Sequence, residues 1–191
     1  MRKALISAMV ASALSVPSFV QAANPTTDEQ VAEARALVKS FGGSLKQALK
    51  QAIENGGVVN GIAACNTLAP EIAAQNSKGN WHIGRTSLKL RNPDNAPSDW
   101  QEMQLQAMDK QPVVNGKPVE VWQVSDAVGQ PEFQYMSAIP TQKLCLNCHG
   151  SDIKPDVQAK INELYPQDQA TGFSEGDLRG AFVVTYRPAE D

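Results

Sequence analysis

Aromatic side chains are scarce in this 191-residue chain, at 6%, and histidine is scarcer still, with two copies. A domain with so few rings must fill the centre of its core with aliphatic groups or with a flat apolar group that is not protein. Positive charge is also in deficit, since 17 Lys and Arg face 20 Asp and Glu. That balance speaks against nucleic acid or an anionic membrane surface as a partner. No internal repeat and no low-complexity tract occurs, which sets aside solenoids and disordered arrays. Beyond the N-terminal leader no stretch is apolar enough to cross a bilayer. Cysteine occurs three times, an odd number that leaves at least one thiol outside any intramolecular pairing.

The leader comes first. Met1-Arg2-Lys3 is a short basic region, Ala4 to Val16 is an apolar run, and Val20-Gln21-Ala22 supplies the small residues of a cleavage site. The run is short for a membrane anchor and is broken by Pro17. Residues 1–22 therefore read as a signal peptide, and the product as a soluble periplasmic protein with no membrane span after cleavage. The remaining 23–191 make 169 residues, enough for one domain with a sizeable core. Cleavage removes Arg2 and Lys3, so 15 basic residues then face 20 acidic ones, a net charge of −5.

What is present is concentrated in Leu144-Cys145-Leu146-Asn147-Cys148-His149-Gly150. Cys-x-x-Cys-His is the attachment signature of a c-type haem. Two thiols three positions apart on one turn, Cys145 and Cys148, are each placed to add to a vinyl group of one porphyrin. His149 then lies beneath the ring, with its imidazole set for one axial position on the iron. A thioredoxin-like redox pair is the first alternative, but it requires a βαβ pattern that the sequence does not show. A zinc site from Cys145, Cys148, Cys65 and His82 is the second, and it lacks the paired knuckles of structural zinc. One covalent haem c is the expected cofactor. Export and haem agree, because this attachment takes place outside the cytoplasm. It also leaves Cys65 as a lone thiol in an oxidising compartment.

Along the chain, Thr27-Asp28-Glu29-Gln30 reads as a capping box opening a helix. Its apolar stripe runs from Val31 through Phe41 to Ile53, with Gly42-Gly43 as a possible kink and Gly56-Gly57 as its end. A second helical segment, Val58 to Gln75, sets Ile62, Cys65, Leu68 or Ala69, and Ile72 on one inward face, with Pro70 bending or restarting it. Cys65 is then either an inert buried thiol or a sulfur that meets the iron opposite His149. Trp81 to Arg91 suits a strand that puts Arg85, Ser87, Lys89 and Arg91 on one side. Arg85 and Arg91 are the candidates to clamp the haem propionates, because a planar guanidinium matches a carboxylate. His82 is a rival sixth ligand, as are the thioethers of Met103, Met108 and Met136.

Ser98-Asp99-Trp100-Gln101 caps a further helix to about Lys110 that puts Trp100, Met103, Ala107 and Met108 on one face. Val113 to Val119 reads as a hairpin turning on Asn115-Gly116. Strands follow at Val119–Val124, Glu132–Ile139 and Ala181–Tyr186, with Thr141 capping the turn of Cys145 and a short helix running from Pro155 to about Leu164. Helices gather early and strands late, which indicates an α+β fold, an antiparallel sheet with helices packed on it.

Four blocks now carry a resemblance. They are Cys65-Asn66-x-x-Ala69-Pro70-Glu71-Ile72-Ala73; Gly84-Arg85-Thr86-Ser87-Leu88-Lys89-Leu90-Arg91-Asn92-Pro93 with Asn95-Ala96-Pro97; the Cys145–Gly150 motif; and Tyr165-Pro166-x-Asp168-x-Ala170-x-Gly172-Phe173 with Gly176-Asp177-Leu178-Arg179-Gly180-Ala181. Together, in order and over nearly the whole mature chain, they resemble the PAS-like c-type haem domain family. The resemblance implies a PAS-like sheet flanked by helices, one covalent haem, and an axial pair of His149 and Cys65. Members are also found fused to sensor kinases and chemoreceptors, which implies redox or gas sensing for some.

An anionic sulfur donor favours ferric over ferrous iron and implies a low reduction potential. With both axial positions filled there is no site for substrate, so the chain reads as no enzyme. Two functions follow. One is an electron carrier whose acidic surface meets a redox partner protein. The other is a sensor of redox state or of NO or CO, in which Cys65 is displaced and a sensor protein receives the signal. Oligomeric state leaves no trace in the sequence.

Overall fold

The computed structural model describes residues 25–126 and 131–188. The expected leader and its cleavage site lie outside the described residues. The first element, α1 (Thr27–Asn76), is 50 residues long. Its N-cap is Thr26, one residue before the expected Thr27: the Glu29 carboxylate accepts from the Thr26 amide at 2.7 Å, and the Thr26 hydroxyl faces the Glu29 amide at 3.4 Å. Glu29 wins over Gln30 because an anion is favoured at the positive end of the helix dipole. Glycine at 56 and 57 breaks α1 as expected, with φ −158° at Gly56 and φ 72° at Gly57. The Asn60 side-chain amide spans this break by donating to the Ala52 carbonyl at 2.8 Å.

Neither Gly42-Gly43 nor Pro70 interrupts or restarts α1, and helical backbone continues through both. Gly42 serves packing instead: a Cβ there would sit 3.0 Å from the Phe182 ring. That ring stands edge-on to Phe41, with centroids 5.8 Å apart.

A four-stranded antiparallel sheet follows, in the order β1 (Trp81–Thr86), β6 (Leu178–Tyr186), β5 (Glu132–Pro140), β4 (Glu120–Ser125). The hairpin of β2 (Val113–Val114) and β3 (Lys117–Pro118) turns on Asn115 and Gly116, both at positive φ, the backbone of a type I′ turn. Short helices α2 (Asp99–Lys110), α3 (Leu146–His149) and α4 (Pro155–Leu164) complete the fold. The Ser98–Gln101 capping box of α2 is present as expected.

Strand alternation divides the core. On one face Ile83, Phe133, Tyr135, Val184 and Tyr186 pack against Val31, Ala34 and Phe41 of α1. On the other, Met136, Ala138, Leu178 and Ala181 pack against Leu105 and Met108 of α2. A third cluster joins Ile62, beyond the break in α1, to Val157 and Ile161 of α4. Each large aliphatic or Phe side chain among these, taken fully out of water, contributes about 1.5–3 kcal/mol.

The sheet departs from the sequence reading at the start of the site. β1 ends at Thr86 rather than running to Arg91. Ser87 leaves the sheet because its hydroxyl donates to the Arg179 carbonyl at 2.8 Å and accepts from the Lys89 amide at 3.2 Å. β6 begins earlier than expected, at Leu178. Gly180, at φ 154°, is required there, since a Cβ would come within 2.3 Å of the Thr86 carbonyl oxygen. Thr141 is no cap: its hydroxyl is buried with no partner among the described residues, and Gln142 precedes the 3-10 turn of Lys143–Cys145.

Candidate functional site

A 3-10 turn running into α3 carries the Cys-x-x-Cys-His motif. The turn closes when the Gly150 amide donates to the Leu146 carbonyl at 3.0 Å. Glycine is needed there, because a Cβ on residue 150 would lie 2.7 Å from that same oxygen. The His149 ring reaches the Ala170 carbonyl through Nδ1 at 2.7 Å. A carbonyl only accepts, so Nδ1 carries the proton and Nε2 keeps a free lone pair. Burial, reinforced by the nearby charges of Arg179 and Arg91, holds the imidazole well below its ordinary pKa and so neutral.

Cys65, Cys145, Cys148 and His149 all line one cavity of about 410 Å³, together with Arg85, Arg91 and Arg179. Cys65 enters from the part of α1 beyond its glycine break and is exposed there, so it is no sealed core thiol. Its surroundings are nevertheless dry enough that burial pushes its pKa up, against the pull of Arg85 and Arg91. Burial likewise pushes the Cys148 thiol up to about 11.

The three arginines differ. Arg85 points from β1 to the cavity and forms no ion pair among the described residues. Burial pushes its pKa down, and Cys65 opposes this. Arg91 is committed elsewhere. Its Nε and Nη2 donate to the two carboxylate oxygens of Asp168 at 3.1 and 3.0 Å, and Nη2 also donates to the Cys148 carbonyl at 2.7 Å. Among the described residues its Nη1 alone has no partner, so little of the fork is left to grip a carboxylate from a ligand. Arg179, to which sequence reasoning gave no role, lies over the Phe173 ring at 5.4 Å and donates to Ser87. Burial, with Arg91 and Arg85 adding to it, brings its pKa down to about 10. The sequence signal for it is the Gly176-Asp177-Leu178-Arg179-Gly180-Ala181 block, which contains this arginine.

The rival ligands fall elsewhere. His82 is exposed, does not line the cavity that holds Cys65 and His149, and instead borders a smaller groove with Gln101 and Thr185, which Arg85 also reaches. Met108 and Met136 are buried in the cluster under α2, and Met103 is 58% exposed. Among the described residues no three His, Cys, Asp or Glu side chains converge to hold a bare metal ion, so the zinc arrangement does not form. The sulfur and imidazole donors are spread around a cavity, as a wide ligand requires. Among the described residues no helix is long and apolar enough to cross a membrane.

Fold and site define an α+β protein in which a Cys-x-x-Cys-His turn shares one arginine-lined cavity with a third cysteine from a long N-terminal helix. The chain belongs to the Tll0287-like family, whose model matches residues 3–187. Among solved structures it is similar to the crystal structure of the cyanobacterial heme-protein Tll0287, at 29% identity and a TM-score of 0.61, over 88% of this chain and 99% of that one. No functionally curated protein matches it.

Proposed function

We propose that this chain is a c-type cytochrome, an exported periplasmic protein that carries one covalent haem and transfers electrons. Cys145 and Cys148 make the thioether bonds, and His149 and Cys65 are the axial donors. Kinship with a haem protein supports haem binding. The observation that carries the finer reading is that Cys65 and the Cys145–His149 turn line the same cavity, with His149 Nε2 free.

The residues present fit such a group. Two thiols, an oriented neutral imidazole and a third sulfur surround an opening lined by Leu49, Ile53, Ile62 and Leu144, while Arg85 and Arg179 are available to the propionates. Arg91 keeps only its Nη1 for that purpose. When bound, a haem supplies a one-electron ferric/ferrous couple. The chain's part is to orient His149 through Ala170, to keep that imidazole buried and neutral, and to present Cys65 to the cavity from α1. Two filled axial positions leave nothing for substrate, so we assign no enzymatic activity. The PAS-like assignment belongs to the same proposal, supported by a mixed sheet-and-helix domain whose first strand pairs with its last. The acidic balance of the chain suits a basic face on a redox partner protein.

Electron paramagnetic resonance of the ferric protein tests the ligands. A thiolate-type low-spin signal that is lost in Cys65→Ser is the expected result. A signal unchanged in Cys65→Ser and lost in His82→Ala would transfer the position to His82.

One observation favours a second reading, a redox or NO/CO sensor reporting to a sensor protein. Cys65 rides on the far side of the Gly56-Gly57 break, a place where α1 can bend. A carrier keeps both axial ligands through a redox cycle, whereas a sensor releases Cys65 on reduction or on binding NO or CO. Absorption spectra of the ferrous protein, with and without CO, separate the two.

A further inference from the structure

We infer that the buried Arg91–Asp168 pair is a positioning device for His149, setting both the direction of its ring and the strength with which its Nε2 donates. The inference rests on the haem reading above; it gives Arg91 a task beyond the propionates and brings in Asp168.

The geometry is a closed set of polar contacts around Ala170. The Ala170 amide donates to Asp168 Oδ1 at 2.9 Å. The Ala170 carbonyl accepts from two donors, His149 Nδ1 at 2.7 Å and Arg91 Nη2 at 3.2 Å. The same Nη2 reaches the Cys148 carbonyl at 2.7 Å, on the residue just before His149. One guanidinium therefore ties the turn that presents the imidazole to the carbonyl that aims it. Neighbouring backbone bonds fix the frame: Gln169 donates to Leu90 at 2.7 Å, Gly172 to Gly150 at 3.0 Å, and Phe173 to His149 at 2.9 Å. The Arg91 and Asp168 side chains are 11% and 6% exposed, so water is poorly placed to substitute for either.

The electronic consequence follows from sharing. A carbonyl that also accepts from a cation is a weaker acceptor for the imidazole N–H, so His149 takes on less imidazolate character and donates less through Nε2. Asp168 offsets part of that cation. Removing one member should therefore move the reduction potential in one direction, and removing the other should move it the opposite way.

The test uses the mature holoprotein in three forms, Arg91→Gln, Asp168→Asn and the double variant, with potentiometric titration and ferric electron paramagnetic resonance. Arg91→Gln is expected to lower the reduction equilibrium constant at least tenfold, about 59 mV for one electron. Asp168→Asn should raise it by a similar factor, and both should broaden the low-spin signal as the ring loses its fixed direction. The double variant leaves no lone charge buried and is the form expected to fold best. It should restore the potential most of the way while the signal stays broad. If Arg91→Gln does not accumulate, the other two still decide. Potentials within twofold of wild type in equilibrium constant, with signals as sharp as wild type, overturn the inference. So do shifts of the same sign in both single variants. A wild type that carries no haem sinks the cytochrome reading itself, which a coloured wild type with unaltered variants does not.

Discussion

The two walls of the cavity hold their sulfur and nitrogen donors by different means. His149 stands on a turn laced to the 168–173 segment by an ion pair and several short hydrogen bonds. Cys65 stands on a helix whose main anchorage is apolar, Ile62 against Val157 and Ile161, and which is joined to the rest of α1 through Gly56-Gly57. Hydrogen bonds are directional and fix the orientation of a ring, whereas apolar burial is non-directional and sets no angle of its own. The molecule thus has one wall held by directed polar contacts and one held by apolar packing beyond a glycine break, and the proposed carrier and sensor readings differ in whether the second wall moves.

Breaking the polar wall should cost most. Arg91→Leu leaves Asp168 buried and unpaired, and we expect a loss of about 3–5 kcal/mol in denaturant unfolding of the holoprotein. Breaking the apolar wall comes next. Ile161 is fully buried, and Ile161→Ala should cost about 3 kcal/mol. It should also raise the rate at which CO replaces the Cys65 sulfur on the ferrous protein, a rate that Arg91→Leu alters less. If both variants change that rate equally, the walls do not differ as described.

The break itself can be strained. Gly57 has φ 72° and ψ −176°, a conformation open essentially to glycine, so Gly57→Ala should cost about 1–3 kcal/mol. The rate of carbon monoxide binding should then change if bending at this point admits the ligand, and stay as in wild type if it does not. The smallest effects belong to the far end of α1, remote from both walls. Thr26→Ala should cost about 1 kcal/mol through the lost cap, without a spectral change. The Glu29 carboxyl is held below its ordinary value of 4.5 by accepting from Thr26. A carboxyl depressed on folding stabilises the fold above its unfolded pKa, and that contribution fades as pH falls through the lower folded value. Acid titration of Glu29→Gln should accordingly show a flatter stability loss below about pH 4.5.

Local signals were legible in the sequence: the Gly56-Gly57 break, the Asn115-Gly116 hairpin, the Ser98 cap and the Cys-x-x-Cys-His turn. What escaped was set by residues far apart in the chain. Trp81 to Arg91 alternates like a strand, yet Ser87 turns away because Arg179 offers its carbonyl from 92 positions along. Arg91 looked free to meet a ligand carboxylate, and its actual partner, Asp168, is 77 positions away. Arg179 reaches the cavity only because β6 starts three residues earlier than its apolar pattern suggests. Period and motif cannot report such pairings, since each is chosen by the fold as a whole.

The central claim is that two of the three cysteines are consumed by one porphyrin while the third stays a thiol. Intact-mass measurement of the mature protein, made in cells able to attach haem and alkylated after unfolding, counts both at once. The account predicts the added mass of one haem and a single alkylated cysteine, Cys65. Three alkylated cysteines and no added haem would contradict it.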